Sequence, residues 1–204
     1  MFSFLNQIIT SSGSDEITPR SKRSDLFANV PVINQFGEEF HFKDDFITDK
    51  AVVINTMFTI CRGSCPGTSE TLERLRRPLS KLLNKRVTIL SVTIDPRNDS
   101  LITLKDYASL YGAGKPASKD ECDWFFLTST EDHIDKLRRS LGFYDLDSKV
   151  DSDITRHAAL LLFGNDKTDR WATSPSQIRD GLIFEPMRRI LGTTTQERFN
   201  IQKS

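Results

Sequence analysis

Runs of β-branched residues alternate with amphipathic helical patterns through the middle of the chain, and this alternation constrains the fold more than any other feature. Residues 51–58 are apolar on both faces, as expected of a central strand in a covered sheet. Leucines then recur at helical spacing, and a second β-branched run follows at 87–94. Strands are also predicted at 124–127 and 158–163. This order predicts an α/β fold in which helices flank a mixed sheet.

Turn residues and prolines interrupt this pattern at defined places. Gly37, expected to take a positive φ, predicts an N-terminal hairpin. A turn at 164–166 leads to a last strand near Trp171, which adds an extra hairpin insertion to the sheet. Pro78 and Pro186 fall inside helical patterns, where proline costs about 3 kcal/mol, so both predict a kink or a break.

The chain is expected to form one domain, because it contains neither internal repeats nor a long linker. Residues 1–27 are rich in Ser, Thr and charge and lack periodicity, which predicts a mobile or extended N-terminal arm. The domain is predicted to span 28–192. Residues 193–204 are expected to be a C-terminal tail.

Charge and hydropathy argue against a nucleic-acid partner and against a membrane-spanning helix. Lys and Arg together number 28, as do Asp and Glu, so the formal net charge is zero. We therefore expect no nucleic-acid partner, since displacing counterions from phosphates needs excess positive charge. No apolar run approaches the roughly 18 residues of a membrane-spanning helix. Residues 1–14 lack the basic start of a secretory signal peptide, so either the protein is not exported or an export segment has been removed.

Two of the three cysteines form a CxxxC pair where a predicted strand meets a helix. Cys61 and Cys65 are expected to face one point, about one helical turn apart. The helix N-terminus predicts lowered thiol pKa values, and two thiolates are soft ligands that suit Cu(I) or Zn²⁺. Cys122 stands apart between acidic neighbours, and we interpret it as structural.

Three separated segments resemble the Sco/SenC family, which are thioredoxin-like copper proteins linked to assembly of the copper centre of cytochrome oxidase. The first, at 58–66, is Phe-Thr-Ile-Cys-Arg-Gly-Ser-Cys-Pro, and the second, at 91–100, is Ser-Val-Thr-Ile-Asp-Pro-Arg-Asn-Asp-Ser. The third is His157 at the start of a late strand. The resemblance covers about residues 28–192 and implies a thioredoxin-like fold.

The resemblance also implies that Cys61, Cys65 and His157 bind one copper ion. Two thiolates and one imidazole suit Cu(I), and Cu(II) would need an added ligand. A copper-receiving protein, such as a cytochrome oxidase subunit, and a thiol–disulfide reductant are the implied partners. A periplasmic or other extracytoplasmic location is implied if an export segment was removed. Arg62, Gly63 and Ser64 depart from the Pro and acidic residue that many members carry between the cysteines, and Arg62 is expected to lower the thiol pKa values further.

Two functions remain open from the sequence. The first is a metallochaperone, which binds copper and passes it on by ligand exchange. The second is a thiol–disulfide oxidoreductase in which Cys61 and Cys65 are the catalytic redox pair. His157 separates them, because the metal needs it and simple thiol exchange does not. A peroxide-reducing thiol enzyme is disfavoured, because the sequence shows no arrangement of Thr, Cys and Arg typical of such enzymes beyond the nearby Thr59 and Arg62.

Other polar residues are given structural roles. Asp95 and Asp99 are expected to fix a strand-to-helix turn. The acidic stretch 145–153 is interpreted as a solvated loop that could face a basic partner, because it lacks the glycine and final Glu of a calcium loop. The remaining candidates are set aside as two exposed histidines, His41 and His133, and a core methionine, Met57.

Overall fold

A seven-stranded mixed sheet lies at the centre of the structure, a computed structural model that describes residues 21–84 and 86–199. The strands are β1 (Pro31–Asn34), β2 (Glu39–His41), β3 (Ala51–Met57), β4 (Val87–Thr93), β5 (Asp123–Thr128), β6 (Leu160–Asn165) and β7 (Arg170–Pro175). Their order is β2-β1-β5-β4-β3-β6-β7. Strands β3, β4 and β5 run parallel, whereas β1 and β6 pair antiparallel with β5 and β3. The predicted α/β fold with a mixed sheet is confirmed.

Helices cover both faces of this sheet. They are α1 (Ser64–Leu83), α2 (Leu101–Leu110), α3 (Glu131–Leu141), α4 (Ser148–Asp151), α5 (Asp180–Leu191) and α6 (Thr195–Phe199). One core holds the apolar faces of α1, α2 and α5, and the other holds α3 and the segment before β1. Within the described ranges, none of the helices has the length and hydropathy needed to cross a bilayer.

Strand β3 is central because both of its faces are buried. All seven of its residues are buried. Val53 packs into the core beneath α1, whereas Val52 and Ile54 pack into the core beneath α3. The apolar run with no polar face therefore predicted its position correctly.

The turn and proline predictions had different outcomes. Gly37 has a φ of 83°, as expected for the β1–β2 turn. Of the predicted kink or break, the break is wrong at both prolines, because α1 runs on through Pro78 and α5 through Pro186. Pro78 lies on the exposed face of α1, where water can satisfy the carbonyl that loses its partner, while Leu79 packs in the core behind it.

The end of the predicted arm is ordered by a buried carboxylate. Residues 1–20 lie outside the described residues, but Arg23–Leu26 forms a 3₁₀ turn, which corrects the expected mobile segment. Asp166 accepts hydrogen bonds from the Ser24 hydroxyl, from Lys22 Nζ at 3.0 Å and from the Asp49 amide at 2.9 Å. These bonds attach the segment to the start of β3.

The predicted tail is also partly structured. Helix α6 lies against α5, and Glu197 accepts hydrogen bonds from the Thr193 amide, at 2.7 Å, and from the Arg86 guanidinium. Residues 200–204 of that prediction lie outside the described residues.

The Asp166 anchor can be tested by removing its charge. Asp166→Asn is expected to lower the free energy of unfolding by about 1–3 kcal/mol, because an NH2 group replaces one of the two acceptor oxygens and the ion pair with Lys22 is lost. Urea denaturation measures this change. Asp106→Asn, which alters an exposed carboxylate on α2, is the control and should stay within about 0.5 kcal/mol of the unsubstituted protein. Equal, small effects of both substitutions would contradict the anchor.

Candidate metal centre

The two cysteines lie beyond the carboxyl end of β3. Strand β3 ends at Met57, a short loop contains Cys61, and α1 begins at Ser64. Cys65 lies in the first turn of α1 and is only 1% exposed, whereas Cys61 is half-buried. The strand-to-helix junction predicted from the sequence is therefore present, with one thiol inside it and one nearer its surface.

Sheet pairing brings His157 to the same place. Strands β3 and β6 are antiparallel, with Ile54 opposite Leu162. Continuing this register past the end of β3 places the cysteine loop beside the residues that precede β6. His157 follows a 3₁₀ turn at that point, and its Nε2 lies 3.4 Å from Cys65 Sγ.

Two contacts orient the His157 ring. Its Nδ1 lies 2.9 Å from the Ile154 carbonyl oxygen, and the Phe58 ring meets it edge-on with centroids 5.6 Å apart. A carbonyl oxygen can only accept a hydrogen bond, so Nδ1 carries the proton. Nε2 therefore presents its lone pair toward Cys65, in the tautomer that binds metals.

Burial controls the protonation of this pair. It raises the pKa of the Cys65 thiol, and the neighbouring Cys61 thiol raises it further. The predicted lowering of the Cys65 pKa is therefore wrong, because desolvation outweighs the helix N-terminus and the exposed Arg62. Burial lowers the pKa of His157, and the bond to the Ile154 carbonyl opposes this only in part. The metal-free pair is thus a neutral thiol beside a neutral imidazole.

Cys61 lies at the outer side of this pair. The Gly63 amide approaches its Sγ at 3.4 Å. Among residues 21–84 and 86–199, no three His, Cys, Asp or Glu side chains are already placed to hold a metal ion. The structure brings Cys65 and His157 into contact, and a three-ligand site would require Cys61 to turn toward them.

Asp99, which lies between β4 and α2, supports the cysteine loop. Its carboxylate, 1% exposed, accepts hydrogen bonds from the Thr59 amide at 3.2 Å and from the hydroxyls of Thr59 and Thr93. Asp95 remains in the turn after β4, where it accepts hydrogen bonds from the Asn98 side chain. The sequence located both residues at this turn, but only the parallel alignment of β3 and β4 shows that Asp99 reaches the loop.

The acidic stretch before His157 is not simply a solvated loop. It contains helix α4, and the Asp151 carboxylate, 6% exposed, pairs with Arg138 and Arg139 of α3. These arginines hold the pKa of Asp151 far below its usual range. The interpretation is therefore corrected, since α3 neutralises this carboxylate. A cavity of about 270 Å³ is lined by residues of this stretch and of α3, and His157 lies on its wall.

The candidates set aside from the sequence lie in other surroundings. Cys122 is fully buried just before β5, at the opposite end of the parallel strands from Cys65. Met57 is in the core and His41 is exposed, both as predicted. His133, expected to be exposed, is half-buried, and its Nδ1 contacts the nearby Ser129 hydroxyl at 3.1 Å.

The sequence matches a family model and a protein that is named for copper binding. The family model described as SCO1/SenC matches residues 20–191. A protein of Stutzerimonas stutzeri that is named for copper binding is 26% identical over 137 residues, which cover 66% of this chain. The match spans 60% of the length of that relative.

Solved structures share the thioredoxin-like fold. A SCO1/SenC family lipoprotein from Bacillus anthracis has a TM-score of 0.61 and 20% identity, over 80% of this chain and 94% of that one. ScoI from Bradyrhizobium japonicum with copper bound has a TM-score of 0.58 and 22% identity, over 80% and 99%. BsSco, described as having a disulfide switch and as belonging to the Sco family of cytochrome c oxidase assembly proteins, has a TM-score of 0.58 and 21% identity, over 79% and 91%.

The lowered pKa of His157 predicts a pH dependence of stability. Between the folded pKa and the ordinary value of 6.5, the unfolded chain binds more protons than the folded one. The free energy of unfolding of the metal-free protein should therefore fall as the pH drops below about 6.5 and level off below the folded pKa. Denaturant titrations from pH 8 to pH 5 measure this fall. It should shrink in His157→Gln and persist in His41→Gln, and an unchanged fall in His157→Gln would contradict the prediction.

Proposed function

Because this chain belongs to the SCO1/SenC family, we propose that it binds one copper ion through Cys61, Cys65 and His157. The contact between Cys65 Sγ and His157 Nε2, at 3.4 Å, supports the proposal most strongly. It joins a sulfur donor to an imidazole nitrogen that already presents its lone pair. A set of two thiolates and one imidazole is suited to Cu(I), and an added ligand would be needed for Cu(II).

The protonation states of the three residues determine how binding proceeds. His157 already has its Nε2 unprotonated, because burial lowers its pKa. Cys65 is a buried thiol with a raised pKa, so its proton must leave as the metal binds. The second proton leaves from Cys61, which must also turn toward the other two ligands. Copper affinity should therefore rise with pH.

Copper held in this way is cargo that the protein passes on by ligand exchange. Cys61 is the more exposed of the two cysteines. It is therefore the copper ligand that a thiol of the acceptor protein would replace first. The S. stutzeri relative, which is named for copper binding, and the copper-bound ScoI support copper as the ion that is carried. The assembly role stated for BsSco supports a cytochrome oxidase subunit as the copper-receiving partner.

Another similar structure supports an extracytoplasmic location. The B. anthracis structure is that of a lipoprotein, a class of protein held at a membrane surface by covalent lipid. We therefore propose that copper is loaded and delivered outside the cytoplasm.

A thiol–disulfide oxidoreductase is the second candidate, and the unequal exposure of the two cysteines favours it. The Cys61 thiolate, half-buried, would attack a partner disulfide and form a mixed disulfide as one partner thiolate leaves. Cys65 would then attack the Cys61 sulfur and release the second partner thiolate. The partner disulfide is reduced, Cys61 and Cys65 are oxidised, and a separate thiol reductant restores them. The disulfide switch named for BsSco supports this chemistry.

An anaerobic competition titration with a chromophoric Cu(I) chelator tests the copper site. The reduced protein should bind one Cu(I). Cys61→Ser and Cys65→Ser should abolish tight binding. His157→Ala should weaken binding by about a hundredfold or more, since a ligand contributes more than the outer partners that tune it.

Cys122→Ala is the matched control, because Cys122 is a buried cysteine at the other end of the strands, and it should leave Cu(I) affinity unchanged. Unchanged affinity in His157→Ala would remove that residue from the site. If His157→Ala also retained full exchange with a peptide disulfide, the oxidoreductase function would be favoured.

A further inference from the structure

We infer that Thr68 and Ser176 are positioning residues that set the approach of His157 to Cys65. The inference rests on the proposed copper site. The two ligands belong to different elements, the first turn of α1 and the segment before β6. Their contact at 3.4 Å therefore depends on what holds those elements together. A pair of buried hydroxyls does so directly.

The helix contributes Thr68. It lies three residues after Cys65 in α1, so both side chains are on the same side of the helix. Thr68 is 3% exposed, and its Oγ1 lies 2.7 Å from Ser176 Oγ. Ser176 is completely buried, in the segment that follows β7.

Ser176 extends the connection to the segment that carries His157. Its amide donates to the Ala159 carbonyl at 2.9 Å, and its hydroxyl lies 3.1 Å from the same oxygen. Ala159 is two residues after His157. The path from Cys65 to His157 thus runs through one helical turn, two hydroxyls and one backbone carbonyl.

A second tether lies beside the first. Gln177 Nε2 donates to the Ser64 carbonyl oxygen at 2.8 Å, one residue before Cys65. A Cβ built on Gly67 would lie 3.0 Å from that same Nε2. The absence of a side chain at Gly67 therefore lets the segment after β7 approach the start of α1 closely.

The proton count shows that this connection can be fully satisfied. Thr68 Oγ1 also lies 3.0 Å from the Ser64 carbonyl, so two hydroxyl protons serve three contacts. If the Ser176 hydroxyl donates to Thr68, the backbone N–H of Ser176 still donates to the Ala159 carbonyl. If the Thr68 hydroxyl donates to Ser176, the side-chain NH2 of Gln177 still donates to the Ser64 carbonyl. In either arrangement the helix and the strand segment stay joined and no buried carbonyl loses its partner.

The hydrogen bond between Thr68 and Ser176 is directional and buried, which is why it can position rather than merely stabilise. Apolar side chains of similar volume would fill the space between Thr68 and Ser176 but would not specify one separation. A ligand pair needs a specified separation, because a metal accepts each donor only over a narrow range of distances.

Thr68→Val and Ser176→Ala test the inference, with Thr71→Val as the matched control. Thr71 is also a buried threonine of α1, but its hydroxyl bonds to the Gly67 carbonyl at 2.9 Å and to Arg74 at 3.1 Å. Two readouts are compared. The first is the nuclear Overhauser contact between the His157 ring and the Cys65 β-protons in metal-free protein. The second is Cu(I) affinity against a chromophoric chelator.

Thr68→Val and Ser176→Ala should each weaken the proton contact and lower Cu(I) affinity about five- to tenfold, whereas Thr71→Val should change neither. Thr68→Ser, which restores the hydroxyl, should recover both readouts. In a His157→Ala background, Thr68→Val should cause no further loss of affinity, because the residue it positions is gone.

Three results would overturn the inference. Equal losses of affinity with and without His157 would mean that Thr68 acts through general stability, as would equal effects of Thr71→Val. An intact proton contact between His157 and Cys65 in both Thr68→Val and Ser176→Ala would also overturn it. This last readout needs no metal, so it decides the inference even if His157→Ala leaves Cu(I) affinity unchanged and the proposed copper site fails. If Thr68→Val does not fold, Ser176→Ala supplies the same comparison.

Discussion

The contact between Cys65 Sγ and His157 Nε2 depends on most of the fold. The antiparallel pairing of β3 with β6 puts the cysteine loop beside the segment that holds His157. The buried β3 is held on its other side by β4, whose following turn provides Asp99 to support the loop. The helical cover on both faces excludes water from the sheet and half-buries His157. The geometry of the site therefore depends on the whole sheet rather than on the cysteine loop alone.

Burial gives the two close residues their chemical character. It keeps Cys65 protonated and His157 neutral in the metal-free protein, so neither carries an uncompensated charge. A metal ion would replace the thiol proton and balance the thiolate charge, which couples binding to proton release. Cys61, nearer the solvent, is the more accessible of the two thiols. One thiol that is buried and one that is accessible suit both copper transfer and disulfide exchange.

Local patterns predicted the elements well, and long-range contacts poorly. The run at 51–58 and Gly37 gave a central strand and a hairpin turn, because these depend on nearby residues alone. The breaks at Pro78 and Pro186 did not occur, since packing of each helix outweighs one lost hydrogen bond. The sequence could not show the pairing of Asp151 with Arg138, because α3 supplies the partner from elsewhere in the chain.

The candidate site shows the same division. The CxxxC pair is visible from its spacing, but His157 was linked to it only through resemblance to a family, since no local pattern spans the intervening chain. The pKa of Cys65 was predicted in the wrong direction because spacing does not report depth of burial. Thr68 and Ser176 carry no sequence signal, as single hydroxyl residues are common in helices and loops.

The most direct test of the account is X-ray absorption at the copper edge of the Cu(I)-loaded protein. Two sulfur ligands and one nitrogen ligand are expected, with the nitrogen lost in His157→Ala, whereas a sulfur-only copper environment in the unsubstituted protein would contradict the account.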